Sequence, residues 1–321
     1  MPRDDLACRE RSRQAEQGHI LEETAMSELS IIVEPEPRKA WVEVVERGLR
    51  DHNIAATGIV DLYPVGFVVK DDGAAVVGWL LGNIAGGWLH VRSLWVDRMW
   101  RGRGYAIELM AAAERYAIAK RCVAAAVQTA SYEARPLYEK LGYRVFCELD
   151  DHPVKGHRRF HMAKRPLTGI DVPRRDPRDR ATLAMDPYAS ADVQGLITRG
   201  IQTHASAAIG RPEQMWRGAN VFLKSDEGEI LGGALGNTWG QWLYVSDVWV
   251  DTTVRGKGYA RKLMTAIEKV ALERRCVHAY LDTFSFQSRP MYEKLGYSVF
   301  GTLEDHPQGH THWYMKKTLA A

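Results

Sequence analysis

The chain has little cysteine, and none of it is spaced for metal or redox chemistry. Cys8, Cys122, Cys147 and Cys276 form no C-x-x-C pair and have no histidine cluster beside them in sequence. That argues against a disulfide framework or a cysteine-ligated metal, and it fits a reducing cytoplasm. Long apolar runs are missing too, so no segment reads as a membrane span. Residues 1–25 lack an apolar core and do not read as a secretory signal. They are charged and poor in aromatics, and they read as a poorly ordered extension ahead of Met26. Charge of one sign is also scarce. A net charge of +3 over 321 residues gives no argument for nucleic acid, and it suits a small phosphate-rich ligand equally well.

What the chain does have is itself twice. Trp88–Pro153 aligns without gaps on Trp242–Pro307, and about 36 of 66 positions are identical. One deletion later, GHRRFHMAK from Gly156 matches GHTHWYMKK from Gly309. Upstream, GWLLGN matches GGALGN, and Gly48, His52 and Gly58 match Gly200, His204 and Gly210. A period near 154 is far too long for a solenoid, so each copy is a whole domain. The expected units are 26–167 and 176–321, joined by a linker over 168–175 that is rich in Pro, Arg and Asp. Strand-like and helix-like periods alternate within each unit, with antiparallel hairpins at NIAGG and NTWGQ. This predicts a mixed α/β fold, each unit a mostly antiparallel twisted sheet flanked by helices.

Two stretches carry the chemistry: RGRGYAIELM from Arg101 and RGKGYARKLM from Arg255. Each follows an apolar strand, ending at Val96 or Val250, and opens a helix. Glycines let a backbone approach a phosphate, and the first N–H groups of a helix have no intrahelical acceptor. Arg101, Arg103, Arg255 and Lys257 add positive charge. A tight turn alone would also use glycine, but both copies keep the whole strand–turn–helix setting. No Gly-Lys-Ser/Thr follows, so this is not a Walker loop, and the third glycine of a dinucleotide fingerprint is missing.

The pattern Arg-x-x-Gly-x-Ala at Arg101–Ala106 and Arg255–Ala260 resembles the acyl-CoA motif of the GCN5-related N-acetyltransferases (GNAT). RPLYEKLGY and RPMYEKLGY resemble that family's second hallmark, a short helix carrying a Tyr. The resemblance implies two tandem acyl-CoA N-acyltransferase domains with acetyl-CoA as donor. It implies that Gly102, Gly104, Tyr105, Ala106, Gly256, Gly258, Tyr259 and Ala260 hold the pyrophosphate through their amides. It further implies that the strand ends at Val96 and Val250 pair with the pantetheine arm, and that Tyr138 and Tyr292 protonate the leaving thiolate. The family often has an Asn contacting the cofactor where this chain has Ser131 and Ser285.

An amine acceptor needs a base. Asp247, in YVSDVWVD, stands near the end of the long strand, where the first unit has Ser93. It reads either as the base or as a solvated, loop-capping residue. Asp97 and Asp251 follow both strands and read as loop caps. The Asp/His-rich loops ELDDHPVKGH and TLEDHPQGH suit a cationic acceptor, and a Pro-Gly loop explains their spacing more simply than a metal. The expected protein is thus a cytoplasmic acetyltransferase without metal, nucleic-acid or membrane partners. It acts by direct attack in a ternary complex on a small cationic amine, an aminoglycoside-type antibiotic included. Peptide acetylation, or non-catalytic binding of acetyl-CoA, are the alternatives. The two units are expected to pack as a pseudo-dimer within one monomeric chain.

Overall fold

The computed structural model describes residues 29–319 apart from 174–175, 177–179, 189–190 and 211–215. The extension over residues 1–25 lies outside the described residues. Strands are β1 Ser30–Val33, β2 Leu62–Lys70, β3 Val76–Ala85, β4 Trp88–Val96, β5 Ala124–Ala130, β6 Arg144–Asp150, β7 Arg158–Lys164 and β8 Thr182–Met185. The second half continues with β9 Arg217–Gly218, β10 Val221–Lys224, β11 Ile230–Trp239, β12 Trp242–Val250, β13 His278–Phe284, β14 Ser298–Glu304 and β15 Thr311–Thr318. Helices are α1 Lys39–Thr57, α2 Tyr105–Ala119, α3 Arg135–Lys140, α4 Ala191–Ile209, α5 Tyr259–Glu273 and α6 Arg289–Lys294.

They form two sheets, in the mixed α/β plan the sequence predicts. One runs β6-β7-β5-β4-β3-β2-β8 and the other β14-β15-β13-β12-β11-β10-β1, with β9 beside β11. Among the described residues only β4–β5 and β12–β13 pair in parallel. Alternation fixes what each strand buries. Leu89 and Val91 of β4 enter a core with Leu109 and Met110 of α2, while Leu243 and Val245 of β12 meet Leu263, Met264 and Ile267 of α5. The opposite face of each sheet carries Trp88 and His90, or Trp242 and Tyr244.

The division at 26–167 and 176–321 follows the covalent chain, but the sheets do not. β1 pairs with β10 of the second half, Ser30 opposite Lys224 and Val33 opposite Val221. In return β8 pairs with β2 of the first half, Thr182 opposite Lys70 and Met185 opposite Phe67. The helices follow their strands. Val45 of α1 is buried with Phe222 and Leu235 of the second sheet, and Ile201 of α4 packs with Val68, Trp79 and Trp95 of the first. A Cβ on Gly48 would overlap the Trp249 indole, and one on Gly200 would overlap Trp95. The repeated glycines therefore let each early helix sit directly on the other half's indole.

A second reciprocal contact closes the assembly. The Trp88 indole N–H donates to the Asp305 carbonyl at 2.9 Å, and the Trp242 indole N–H donates to the Asp151 carbonyl at 2.8 Å. Trp88, Ala126 and Cys147 are buried with Leu303 and Tyr314, and Leu149 with Trp242 and Tyr280. The two units thus pack through facing sheets. Asp151 and Asp305 accept hydrogen bonds from Gly156 and Gly309 within their own turns, while His152 and His306 are buried at this junction.

Candidate functional site

Each unit has a cleft where its two parallel strands part. The β4–β5 ladder ends at Val91–Val127 and the β12–β13 ladder at Val245–Leu281, although all four strands run on. Beside this point lies a β-bulge. The register with the neighbouring strand shifts between Leu81 and Gly82, and between Leu235 and Gly236, leaving Arg92 and Ser246 as extra residues. Bulges bend a strand and re-aim its side chains. Here Ser93 and Asp247 turn onto the same face as His90 and Tyr244, the face the exchanged helix covers.

The glycine turns stand at the far end of the long strands. Gly102 and Gly104 have φ of +79° and +92°, and Gly256 and Gly258 have +77° and +81°. This is the left-handed region that favours glycine. Nothing lies within 4 Å of a Cβ built on Gly102, Gly256 or Gly258, so the cradle has room for a ligand. Gly104 and Gly258 are the N-caps of α2 and α5. The turn is braced from below: Arg101 Nε donates to the Val96 carbonyl at 2.9 Å and Arg255 Nε to Val250 at 2.8 Å. Arg103 lies over the Trp100 ring. Tyr105 is buried, so it offers an anion its backbone rather than its side chain, whereas Tyr259 is half-buried. Asp97 and Asp251 accept from Met99 N and Thr253 N and cap the loops.

Tyr138 and Tyr292 are buried on α3 and α6, edge-on to Tyr143 and Tyr297. Their hydroxyls have no hydrogen-bond partner among the described residues, and burial pushes both phenols well above their ordinary range. Glu133 adds to this for Tyr138, and Asp282 and Asp247 for Tyr292. A buried core pair fixes the ring beneath: Tyr143 donates to Glu114 at 2.9 Å and Lys164 Nζ lies 2.7 Å from the same carboxylate. Tyr297, Glu268 and Lys317 repeat this arrangement. Ser131 and Ser285 are engaged elsewhere, their hydroxyls accepting from Arg158 N and Thr311 N.

Asp247 is half-buried. Burial raises its carboxyl above the usual range, and the charges of Glu46 and Asp282 raise it further against a bond from Ser246. Glu46 belongs to α1, so an acidic residue from the first half completes the second half's cleft. Sequence reasoning missed Glu46 and Asp282. A helical segment over Lys39–Asp51 was legible in the sequence, but not which sheet it packs on.

A hydrogen-bonded chain links the two clefts. Tyr244 Oη donates to Asp282 Oδ1 at 3.1 Å, and His312 Nε2 lies 2.9 Å from Asp282 Oδ2. His312 Nδ1 is 2.7 Å from His306 Nδ1, and His306 Nε2 is 3.2 Å from His90 Nε2 in the first unit. Burial works to raise Asp282, but bonds and charge from His312, with Tyr244 and His161, outweigh it and hold the carboxyl below its usual range. An ionised carboxylate only accepts. His312 then donates to it through Nε2. Burial keeps His90 neutral, lowered to about 4, and lowers His306 as well.

The model of the acetyltransferase (GNAT) family matches residues 29–143 and again 198–297. "Acetyltransferase Atu2258" of Agrobacterium fabrum is 30% identical over 133 residues, which is 41% of this chain and 96% of that protein. "Blasticidin-S acetyltransferase" of Streptomyces morookaense is 34% identical over 100 residues, 31% of this chain and 74% of that protein. An acetyltransferase crystal structure from Bacillus cereus is 32% identical, covering 42% of this chain and 97% of its own, with a TM-score of 0.38. Among the described residues no helix is long and apolar enough to cross a membrane. With the family match falling on both repeats, the chain belongs to the GNAT acetyltransferases and is a tandem duplication of their domain.

Proposed function

We propose that the second cleft transfers an acetyl group from acetyl-CoA to a small cationic primary amine, by direct attack in a ternary complex. The observation that carries this reading is the acidic face at the strand parting, where Asp247, Asp282 and the borrowed Glu46 lie together beside Tyr292. Members of the family use acetyl-CoA as donor, and the residues here fit that substrate. The turn amides at 255–260 meet the pyrophosphate, and the free edge of β12 beyond Val245 meets the pantetheine amides. The acidic face draws the ammonium form of the acceptor. Asp247, its carboxyl raised by burial, takes the amine proton. The amine nitrogen bonds to the thioester carbon and the carbon–sulfur bond breaks; the buried Tyr292 hydroxyl gives its proton to the departing thiolate and regains one from the nitrogen as the amide forms. The products are an acetamide and free CoA.

The relative named for blasticidin-S supports a small-molecule acceptor. Thiol release by the full chain with acetyl-CoA and a panel of amines tests the reading. A simple diamine should be acetylated, and Asp247→Asn should lower its kcat/KM about 10²–10⁴-fold. No release with any amine, although acetyl-CoA binds, would overturn it.

A further inference from the structure

The two clefts differ in charge at matching positions. Where the second has Asp247, Asp282 and Glu46, the first has Ser93, Gln128 and Thr198, none ionisable. Where the second has His312, the first has Arg159. Arg159 Nη1 donates to Gln128 Oε1 at 2.8 Å and its Nε lies 3.4 Å from His152 Nδ1. Its Nη2 has no hydrogen-bond partner among the described residues. Gln128 is the first residue of β5 beyond the ladder with β4, so this guanidinium stands at the strand parting. The nearby carboxylate of Glu133, Gln287 in the second unit, is already engaged by Ala130 N and Thr129 Oγ1.

The second half also lends this cleft an aromatic wall. The Arg159 guanidinium carbon lies 5.5 Å from the centroid of Trp239, and Trp216 stacks on Trp239 at 4.8 Å and 26°. Trp216 is 43% exposed, leaving an indole face open. The residue matching Trp239 in the first unit is Ala85, so the second cleft has no such indole at that place.

We infer that the first cleft is a separate acceptor site for an amine that carries a carboxylate beside a planar ring, as an aromatic α-amino acid does. The open arm of Arg159 meets the carboxylate and the Trp216–Trp239 stack meets the ring. This rests on the reading that each glycine turn holds acetyl-CoA. The free amine, its ammonium proton lost to solvent, bonds to the thioester carbon as the carbon–sulfur bond breaks, and Tyr138 gives its proton to the thiolate and regains one from the nitrogen. One chain would then serve two acceptors, one dicationic and one zwitterionic.

The test uses the full chain, acetyl-CoA, L-phenylalanine and a diamine. Both amines should be acetylated. Arg159→Gln should lower the ratio of kcat/KM for phenylalanine to that for the diamine by about 10- to 100-fold, mostly through KM, the worth of one charge-assisted bond. Arg159→Lys should recover part of it. A folding defect would lower both amines together and leave the ratio unchanged. No acetylation of phenylalanine, or an unchanged ratio in Arg159→Gln, would overturn the inference. Calorimetry with acetyl-CoA separates the two failures. Two sites per chain with diamine turnover leaves the second-cleft reading standing, whereas no turnover of any amine removes that reading itself.

Discussion

His161 sits at the junction of the two units with Phe146, Phe300 and Tyr314 around it, and neither ring nitrogen has a partner among the described residues. Burial, aided by Arg159 and His312 against Asp282, lowers it from 6.5 to about 3. The unfolded chain therefore takes up a proton near pH 6.5 while the folded ring stays neutral. Stability from this residue is fully present above pH 6.5 and is lost as the pH falls toward 3. Linkage puts the loss at about 2 kcal/mol at pH 5 and nearly nothing at pH 7.5. His161→Phe removes the titration and keeps an aromatic ring in an aromatic box. Urea unfolding of parent and variant at pH 7.5 and pH 5 reads the difference, provided the m-values agree. The variant should gain about 2 kcal/mol on the parent between the two conditions. Equal differences at both pH values would refute the reasoning.

Three further outcomes follow from the packing and the site. Tyr292→Phe should lower kcat for the diamine about 10²–10⁴-fold in the thiol-release assay with little change in KM for acetyl-CoA, and an unchanged kcat would remove the acid role. Gly48→Leu should wedge α1 off Trp249 and cost about 1–3 kcal/mol in urea unfolding, recovered in part by pairing it with Trp249→Leu. Lys164→Met should strand the buried Glu114 carboxylate and cost about 3–5 kcal/mol, and adding Glu114→Gln should restore most of that.

The units, their strands and the glycine turns were legible because each rests on local pattern. WLHVRSLWV alternates, Gly104 and Gly258 stop one element and start the next, and the repeat doubles every signal. The exchange of β1 and β8 was not legible, for a physical reason. The segment VFLK that receives β1 and the segment FVVK that receives β8 are chemically alike. A four-residue strand such as SIIV has no preference between them that composition could express. The Tyr244–Asp282–His312–His306–His90 chain was hidden for a related reason, since His90 and His306 are far apart in sequence and meet only when the sheets face each other. Asp247 was visible because the repeat set it against Ser93, but the burial that raises its carboxyl comes only with folding, and the Glu46 charge that adds to it arrives with the exchanged helix.

The exchange also sets a timetable for synthesis. As the chain leaves the ribosome, β1 and α1 emerge first, but their partner β10 follows about 190 residues later. At ~5–20 residues per second that is a wait of roughly 10–40 s. During it, a strand edge and an apolar helix face stand uncovered, and the first sheet lacks β8 for much of the same time. The nascent first half is therefore unfinished by design, open to pairing with a neighbouring nascent chain until its own second half arrives. Slowing translation beyond residue 186 should lengthen that exposure.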